Sequence, residues 1–193
     1  MTDKTPRVVI LISGRGSNMI SIVNAVNDGS LPVNIVAVIS NRPDAAGIIF
    51  AQQAGIDTAI IDHKTFASRE HFDQAMASKI DTYSPDLVVL AGFMRILTTE
   101  FVEHYANKLI NIHPALLPKF KGMDTHQRAI DAGETEHGAS VHFVTAELDA
   151  GPVILQAKVP VFSNDTADTL AARVLEQEHQ LYPEAINKLV TKS

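Results

Sequence analysis

Apolar residues fall along the first half of the chain in short unbroken runs, and stretches with helical spacing separate them. Val8 to Ile12 is a continuous β-branched and leucine run, the mark of a strand buried on both faces. Behind it Met19, Ile22, Val23 and Val26 recur at the spacing of an amphipathic helix. The alternation repeats. Val33 to Ser40 predicts a second strand, and a helix ending near Ala54 with Gly55 as its stop leads to a third strand from Thr58 to Ile61. Ser68-Arg69-Glu70 starts a helix whose apolar face carries Phe72, Ala75, Met76 and Ile80, and Leu87 to Ala91 is a fourth strand. Phe101, Val102 and Tyr105 mark a short helix, after which Leu109 opens a fifth strand that Pro114 stops. A helical segment from Thr125 to Ala132 follows. The alternation then changes to period two, at Val141, Phe143, Val153 and Leu155, and predicts half-buried strands that pair antiparallel, with Pro160 suited to an edge. From Thr166 to Leu189 a long helix is expected, bent or broken at Pro183. Strands alternating with helices on short connections predict an α/β fold, a doubly wound and mostly parallel sheet with an antiparallel edge.

Composition narrows the class. With 193 residues, 46% hydrophobic and 20% charged, the chain reads as one globular domain spanning 1–193. No apolar run approaches a membrane span, and the first residues lack the apolar segment of a signal peptide. There is no cysteine, so disulfides, thiolate catalysis and Cys-ligated metals drop out, and a cytoplasmic location is expected. Asn164-Asp165-Thr166 matches a glycosylation sequon, and without a secretory route it reads as a turn. The formal charge of −6 argues against a nucleic-acid or membrane-surface binder.

The candidate chemistry lies where strands end, which in open parallel sheets is where ligands bind. Ser13-Gly14-Arg15-Gly16-Ser17-Asn18 joins strand one to its helix, a place where free N–H groups and the helix dipole can hold a phosphate. It is not a Walker A loop, and Met19 stands where the dinucleotide fingerprint needs a third Gly, so a phosphate monoester fits better. A plain tight turn with Ser17 or Asn18 as N-cap is the alternative. Met94, Ile96 and Leu97 after strand four are either core or a site for a flat heteroaromatic ring, and Arg95 among them is either part of that site or a solvated loop residue. Asn111 and His113, two apart on strand five, share a face; they either close the strand for structural reasons or form a site where the amide donates to an oxyanion and the imidazole moves a proton. Asp149, in Leu-Asp-Ala-Gly-Pro, is either a turn residue or the carboxylate that orients His113 and favours its charged form.

Four stretches together carry a resemblance: Leu-Ile-Ser-Gly-Arg-Gly-Ser-Asn (11–18), Val-Leu-Ala-Gly-Phe-Met-Arg-Ile-Leu (89–97), Asn-Ile-His-Pro-Ala-Leu-Leu-Pro (111–118) and Ser-Val-His-Phe-Val-Thr-Ala-Glu-Leu-Asp-Ala-Gly-Pro-Val-Ile-Leu-Gln (140–156). From Val8 to about Pro183 the chain resembles the phosphoribosylglycinamide formyltransferase family, folate-dependent enzymes of purine synthesis. The resemblance implies the Rossmann-like formyltransferase fold, 10-formyltetrahydrofolate as co-substrate, glycinamide ribonucleotide as acceptor and no metal. It implies that Gly16, Ser17 and Asn18 hold the ribonucleotide phosphate and that Gln177 and Glu178 contact its ribose and glycinamide. Met94, Arg95, Ile96, Leu97, Asn111, Thr145, Ala146, Glu147, Leu148 and Asp149 match the folate pocket, and Arg69 matches a further contact to the cofactor. Asn111, His113 and Asp149 match the catalytic trio. Ala115 and Asp124 depart from the residues relatives often carry, Ser and His, and the chain stops soon after the last helix. Expected partners are these small molecules, with no nucleic acid or membrane, for a monomer or homodimer. Another formyltetrahydrofolate enzyme, a deformylase or a formyltransferase for aminoacyl-tRNA or sugar nucleotides, is the near rival; a nucleotide-binding module without catalysis is the distant one.

Overall fold

The computed structural model describes residues 4–192. Seven strands form one sheet: β1 (Arg7–Ile12), β2 (Asn34–Ser40), β3 (Thr58–Ile60), β4 (Leu87–Leu90), β5 (Leu109–His113), β6 (Glu136–Phe143) and β7 (Val153–Pro160). Their order is β3-β2-β1-β4-β5-β6-β7. The first five run parallel, while β6 is antiparallel to β5 and β7 to β6. The expected architecture, including the antiparallel edge, is the observed one.

The helices are α1 (Ser17–Asn27), α2 (Ala46–Gln53), α3 (Arg69–Asp81), α4 (Thr99–His104), α5 (Thr125–Asp131) and α6 (Ala167–Val190). One core joins α1, α2, α5 and α6 to Val8, Ile10, Ile12, Val89, Ile110, Ile112, Ala139 and Val141. The other joins α3 and α4 to Val9, Leu11, Ala37, Ile39, Val88, Leu90 and Leu109. Because β1 is covered on both faces, every residue from Val8 to Ile12 is fully buried, which is why that run lacks polar alternation.

The two faces are not covered alike. On the α3/α4 side the helices pack over β1, β2 and β4, and the C-terminal part of β5 with the adjoining part of β6 has no helix above it. The pleat sends alternate residues there. Ile110 and Ile112 point into the core on the other side, so Asn111 and His113 point to this open stretch. Their cross-strand partners are His142 and Ser140, which share that face. Loops 114–124 and 144–151 roof the resulting polar floor.

Pro183 does not break α6, which is continuous from Ala167 to Val190. A helix-interior proline costs roughly 3 kcal/mol, but packing on both sides of it holds the axis. Leu181, Tyr182, Ala185 and Ile186 are buried, and the Tyr182 hydroxyl donates to the Leu90 carbonyl at 2.7 Å.

Candidate active site

The turn after β1 is built from backbone. Gly16 stands at the N-cap of α1 with φ 71°, and no side chain caps the helix. Ser17 and Asn18 are therefore its first helical residues and not its cap, which leaves the first N–H groups and the positive end of an 11-residue helix facing outward. A neighbour pins this turn in place: the Gly47 N–H, in the first turn of α2, donates to the Gly14 carbonyl at 3.0 Å. The approach is so close that a Cβ on Gly47 would lie 2.6 Å from the Ile12 side chain and 3.1 Å from the Arg15 carbonyl oxygen. Asn18 is buried, and its amide donates to Glu178 Oε1 of α6 at 3.3 Å. Burial pushes the Glu178 carboxyl up to about 7, against the lowering effect of Asn18. Gln177 lies next to it, half-buried.

Hydrogen bonds tie the ends of β1, β2 and β4 together. The Ser13 hydroxyl donates to Asn41 Oδ1 and accepts from the Met94 N–H at 2.8 Å, which places the 92–97 segment beside the turn after β1. Met94 (75% exposed) and Ile96 (66%) are not core residues; they stand in solvent on the rim, and Leu148 joins them at 58%. Leu97 is half-buried and packs on the α3/α4 core. The Arg95 guanidinium lies over the Phe72 ring, 5.2 Å from its centroid, and Arg69 is exposed one turn before Phe72 on α3.

The remaining cluster is built from side chains. His113 is 5% exposed at the end of β5. Its Nε2–H donates to the Phe120 carbonyl at 2.7 Å, and its Nδ1 stands 3.5 Å from Asp149 Oδ2. That same oxygen accepts from the Gly122 N–H at 2.9 Å. Asp149 is in a left-handed conformation, φ 51°, in the β6–β7 loop, and Gly151 allows the loop to close. A Cβ at Gly151 would lie 1.7 Å from the Phe143 carbonyl oxygen. Thr145, Ala146, Glu147 and Leu148 form the exposed part of this loop, with the Thr145 hydroxyl donating to the Glu147 carbonyl at 3.3 Å. Asn111, half-buried, completes the floor beside His113. Sequence reading brought Asn111, His113 and Asp149 to one rim, and the structure has them there.

Residues outside that reading hold the arrangement. Ser140 Oγ donates to the Ala115 carbonyl at 2.7 Å and accepts from the Leu117 N–H at 3.0 Å and from Gln156 Nε2 at 2.9 Å, anchoring the start of the 115–126 loop. Further along, Phe120 (φ 55°) and Asp124 (φ 55°) are left-handed, and Phe120 packs edge-on against the His137 ring. His137 pairs with His126 at 3.1 Å, and burial pushes its imidazole down to about 4. His142, opposite Asn111, is 2% exposed and has its Nε2 3.8 Å from Asp149 Oδ1. Burial holds its imidazole below the ordinary value and His113 adds to that, while the Phe143 carbonyl and Asp149 oppose it. The clue to Ser140 and His142 was their period-two spacing on a strand next to that of Asn111 and His113. Among the described residues, no group of three or more His, Cys, Asp or Glu is placed to hold a metal, and no helix is long and apolar enough to cross a membrane.

The uncapped helix start after β1 and the imidazole–carboxylate pair at the antiparallel sheet edge agree with a wider kinship. Residues 6–186 match the formyl transferase family, to which the chain belongs. Within it, the chain is 54% identical over 180 residues to phosphoribosylglycinamide formyltransferase of Escherichia coli (strain K12), covering 93% of this chain and 85% of that protein. The same enzyme of Haemophilus influenzae is 46% identical over 177 residues, covering 92% and 84%. The crystal structure of phosphoribosylglycinamide formyltransferase from Brucella melitensis superposes with a TM-score of 0.93 at 47% identity, over 98% of both chains.

Proposed function

We propose that the chain is one formyltransferase domain that moves the formyl group of 10-formyltetrahydrofolate to the glycinamide amine of 5-phosphoribosylglycinamide. The products are N-formylglycinamide ribonucleotide and tetrahydrofolate, in the route to IMP. The observation that carries the reading is the meeting of Asp149 with His113 beside Asn111, on the rim that also holds the open end of α1.

The site suits both reactants. Gly16, Ser17 and Asn18 present N–H groups at a helix N-terminus, a natural place for a phosphate monoester. Asn18, Glu178 and Gln177 offer amide and carboxyl groups to the ribose and glycinamide side. Across the rim, solvent-exposed Met94, Ile96 and Leu148 offer apolar surface to a flat ring, flanked by the backbone of 145–149. Arg95, over the Phe72 ring, and Arg69, exposed at the start of the helix that carries Phe72, suit the carboxylates of a glutamyl tail.

The formyl-folate supplies an activated formyl carbon on N10; the protein supplies position, charge and proton control. Holding the amine against that carbon removes much of the encounter entropy, so no protein nucleophile is needed. The Asn111 amide donates to the formyl oxygen as negative charge grows on it. Both groups that face the His113 ring nitrogens, the Phe120 carbonyl at 2.7 Å and the Asp149 carboxylate at 3.5 Å, are acceptors, so each ring nitrogen faces an oxygen that can receive its proton. When the Phe120 carbonyl yields, the Nε2 proton is free for the oxyanion or the leaving nitrogen. Asp149 keeps the ring oriented and takes the proton that the amine sheds.

The protein acts on small molecules in the cytoplasm as a monomer or homodimer; its charge of −6 offers nucleic acid little attraction. Mixing it with 10-formyltetrahydrofolate, with and without glycinamide ribonucleotide, and following folate absorbance tests the assignment. Turnover that requires the ribonucleotide is expected. Turnover without it would mark a deformylase, and no turnover in either mixture would leave only a binding module.

A further inference from the structure

His142 is not needed for any of the contacts above, yet it is buried where an unpaired polar atom is costly. Its Nδ1–H donates to the Phe143 carbonyl at 2.9 Å, so its Nε2 carries the lone pair. That nitrogen has no hydrogen-bond partner among the described residues. It faces Asp149 Oδ1 at 3.8 Å, outside bonding range. Two lone-pair-bearing atoms cannot bond to each other, and this separation is what such a pair shows before a proton comes between them.

The two oxygens of Asp149 differ. Oδ2 accepts the Gly122 N–H and faces His113 Nδ1, whereas Oδ1 has no hydrogen-bond donor among the described residues and lies 3.8 Å from His142 Nε2. Oδ1 is therefore the oxygen with a lone pair open to a proton.

We propose that His142 is a positioning residue acting through Asp149, a role that rests on the transferase reading given above. As the amine attacks, its nitrogen releases a proton and keeps the electron pair for the new bond to the formyl carbon. The proton forms an O–H bond at Asp149 Oδ1, and a small rotation of the carboxyl lets that O–H donate to His142 Nε2. Burial suits the task, because it keeps the imidazole neutral and its lone pair available. The cross-strand pairing of His142 with Asn111 keeps both groups on one floor, and the register irregularity between Val141 and His142 on the β7 side sits beside them.

The test compares His142→Phe, His142→Gln and His142→Asn. Glutamine can put an acceptor where Nε2 stands, asparagine only where Nδ1 stands, and phenylalanine keeps the packing without an acceptor. In the formyl-transfer assay His142→Phe should lower kcat about 10–100-fold, the range of one strong hydrogen bond, with both KM values unchanged. His142→Gln should recover most of the loss and His142→Asn should not. The solvent deuterium isotope effect on kcat should rise in His142→Phe, as proton transfer becomes limiting. Normal kcat in His142→Phe, a lowered kcat with an unchanged isotope effect, or equal activity of the Gln and Asn variants would each overturn the proposal. If His142→Phe does not fold, the Gln–Asn comparison decides alone. Wild-type turnover in the same assay separates this outcome from failure of the transferase assignment itself.

Discussion

The two ends of the rim are made differently. At the turn after β1 the groups left open are backbone N–H donors, supplied by a glycine-rich sequence that runs without interruption from β1 into α1. At the other end, a left-handed loop residue and a carbonyl from a third segment converge on the imidazole of a strand residue, as Asp149 and Phe120 do on His113. The first end is set by local chemistry and tolerates side-chain change wherever the backbone can keep its path. The second depends on charge and on loop closure, so single side-chain changes there should be felt most.

The largest effect is expected where that contrast is sharpest. Asn tolerates left-handed φ well, so Asp149→Asn keeps the loop and removes the charge. Its kcat should fall by about 10²–10⁴, the usual share of a general acid–base group, with melting temperature nearly unchanged. Near-normal turnover would move Asp149 out of the chemistry.

A smaller effect is expected at the other end. Gly47→Ala forces a methyl group against Ile12 and the Gly14 and Arg15 carbonyls, and so displaces the turn that Gly47 pins. Overpacking of this kind costs about 1–3 kcal/mol. The KM for the ribonucleotide should rise about tenfold, the effect of roughly 1.4 kcal/mol, while the KM for the formyl-folate stays put. A rise in both would show that the two ends are not independent.

The mildest test uses pH, because the two ends carry buried groups of opposite sense. Glu178 is raised from 4.5 to about 7, so its folded form holds a proton that the unfolded form has released. That contribution is present below about 4.5 and is lost as pH rises through about 7. His137 is lowered from 6.5 to about 4, so its contribution is present above 6.5 and is lost as pH falls through about 4. Melting temperature should therefore peak at mildly acid pH. Glu178→Gln should flatten only the alkaline side, and an unchanged alkaline slope would contradict the burial argument.

Much of the architecture can be read along the chain because its signals are local. Unbroken apolar runs are strands covered twice, period-two runs are half-covered strands, and Gly16 followed by Ser17 and Asn18 puts open N–H groups at a helix start. Asn111 and His113 could be paired for the same reason, since two residues apart on a strand means one face. The antiparallel edge and the long last helix were legible too, but the fate of Pro183 was not. A proline's local cost is visible in the sequence, whereas the packing of Leu181, Tyr182, Ala185 and Ile186 that overrides it is not.

The same limit applies to the chemistry. No spacing rule puts the Phe120 carbonyl on His113, sets Gly47 against the turn after β1, or aims the lone pair of His142 at the free oxygen of Asp149. Each of these contacts joins segments far apart in the chain, and each depends on loop closure or strand register. Backbone conformation and burial pattern are encoded by neighbouring residues, and so the chain alone determines them. Which oxygen of a carboxylate is occupied and which is free is decided only when the folded sheet and its two roofing loops bring their groups within a few ångströms.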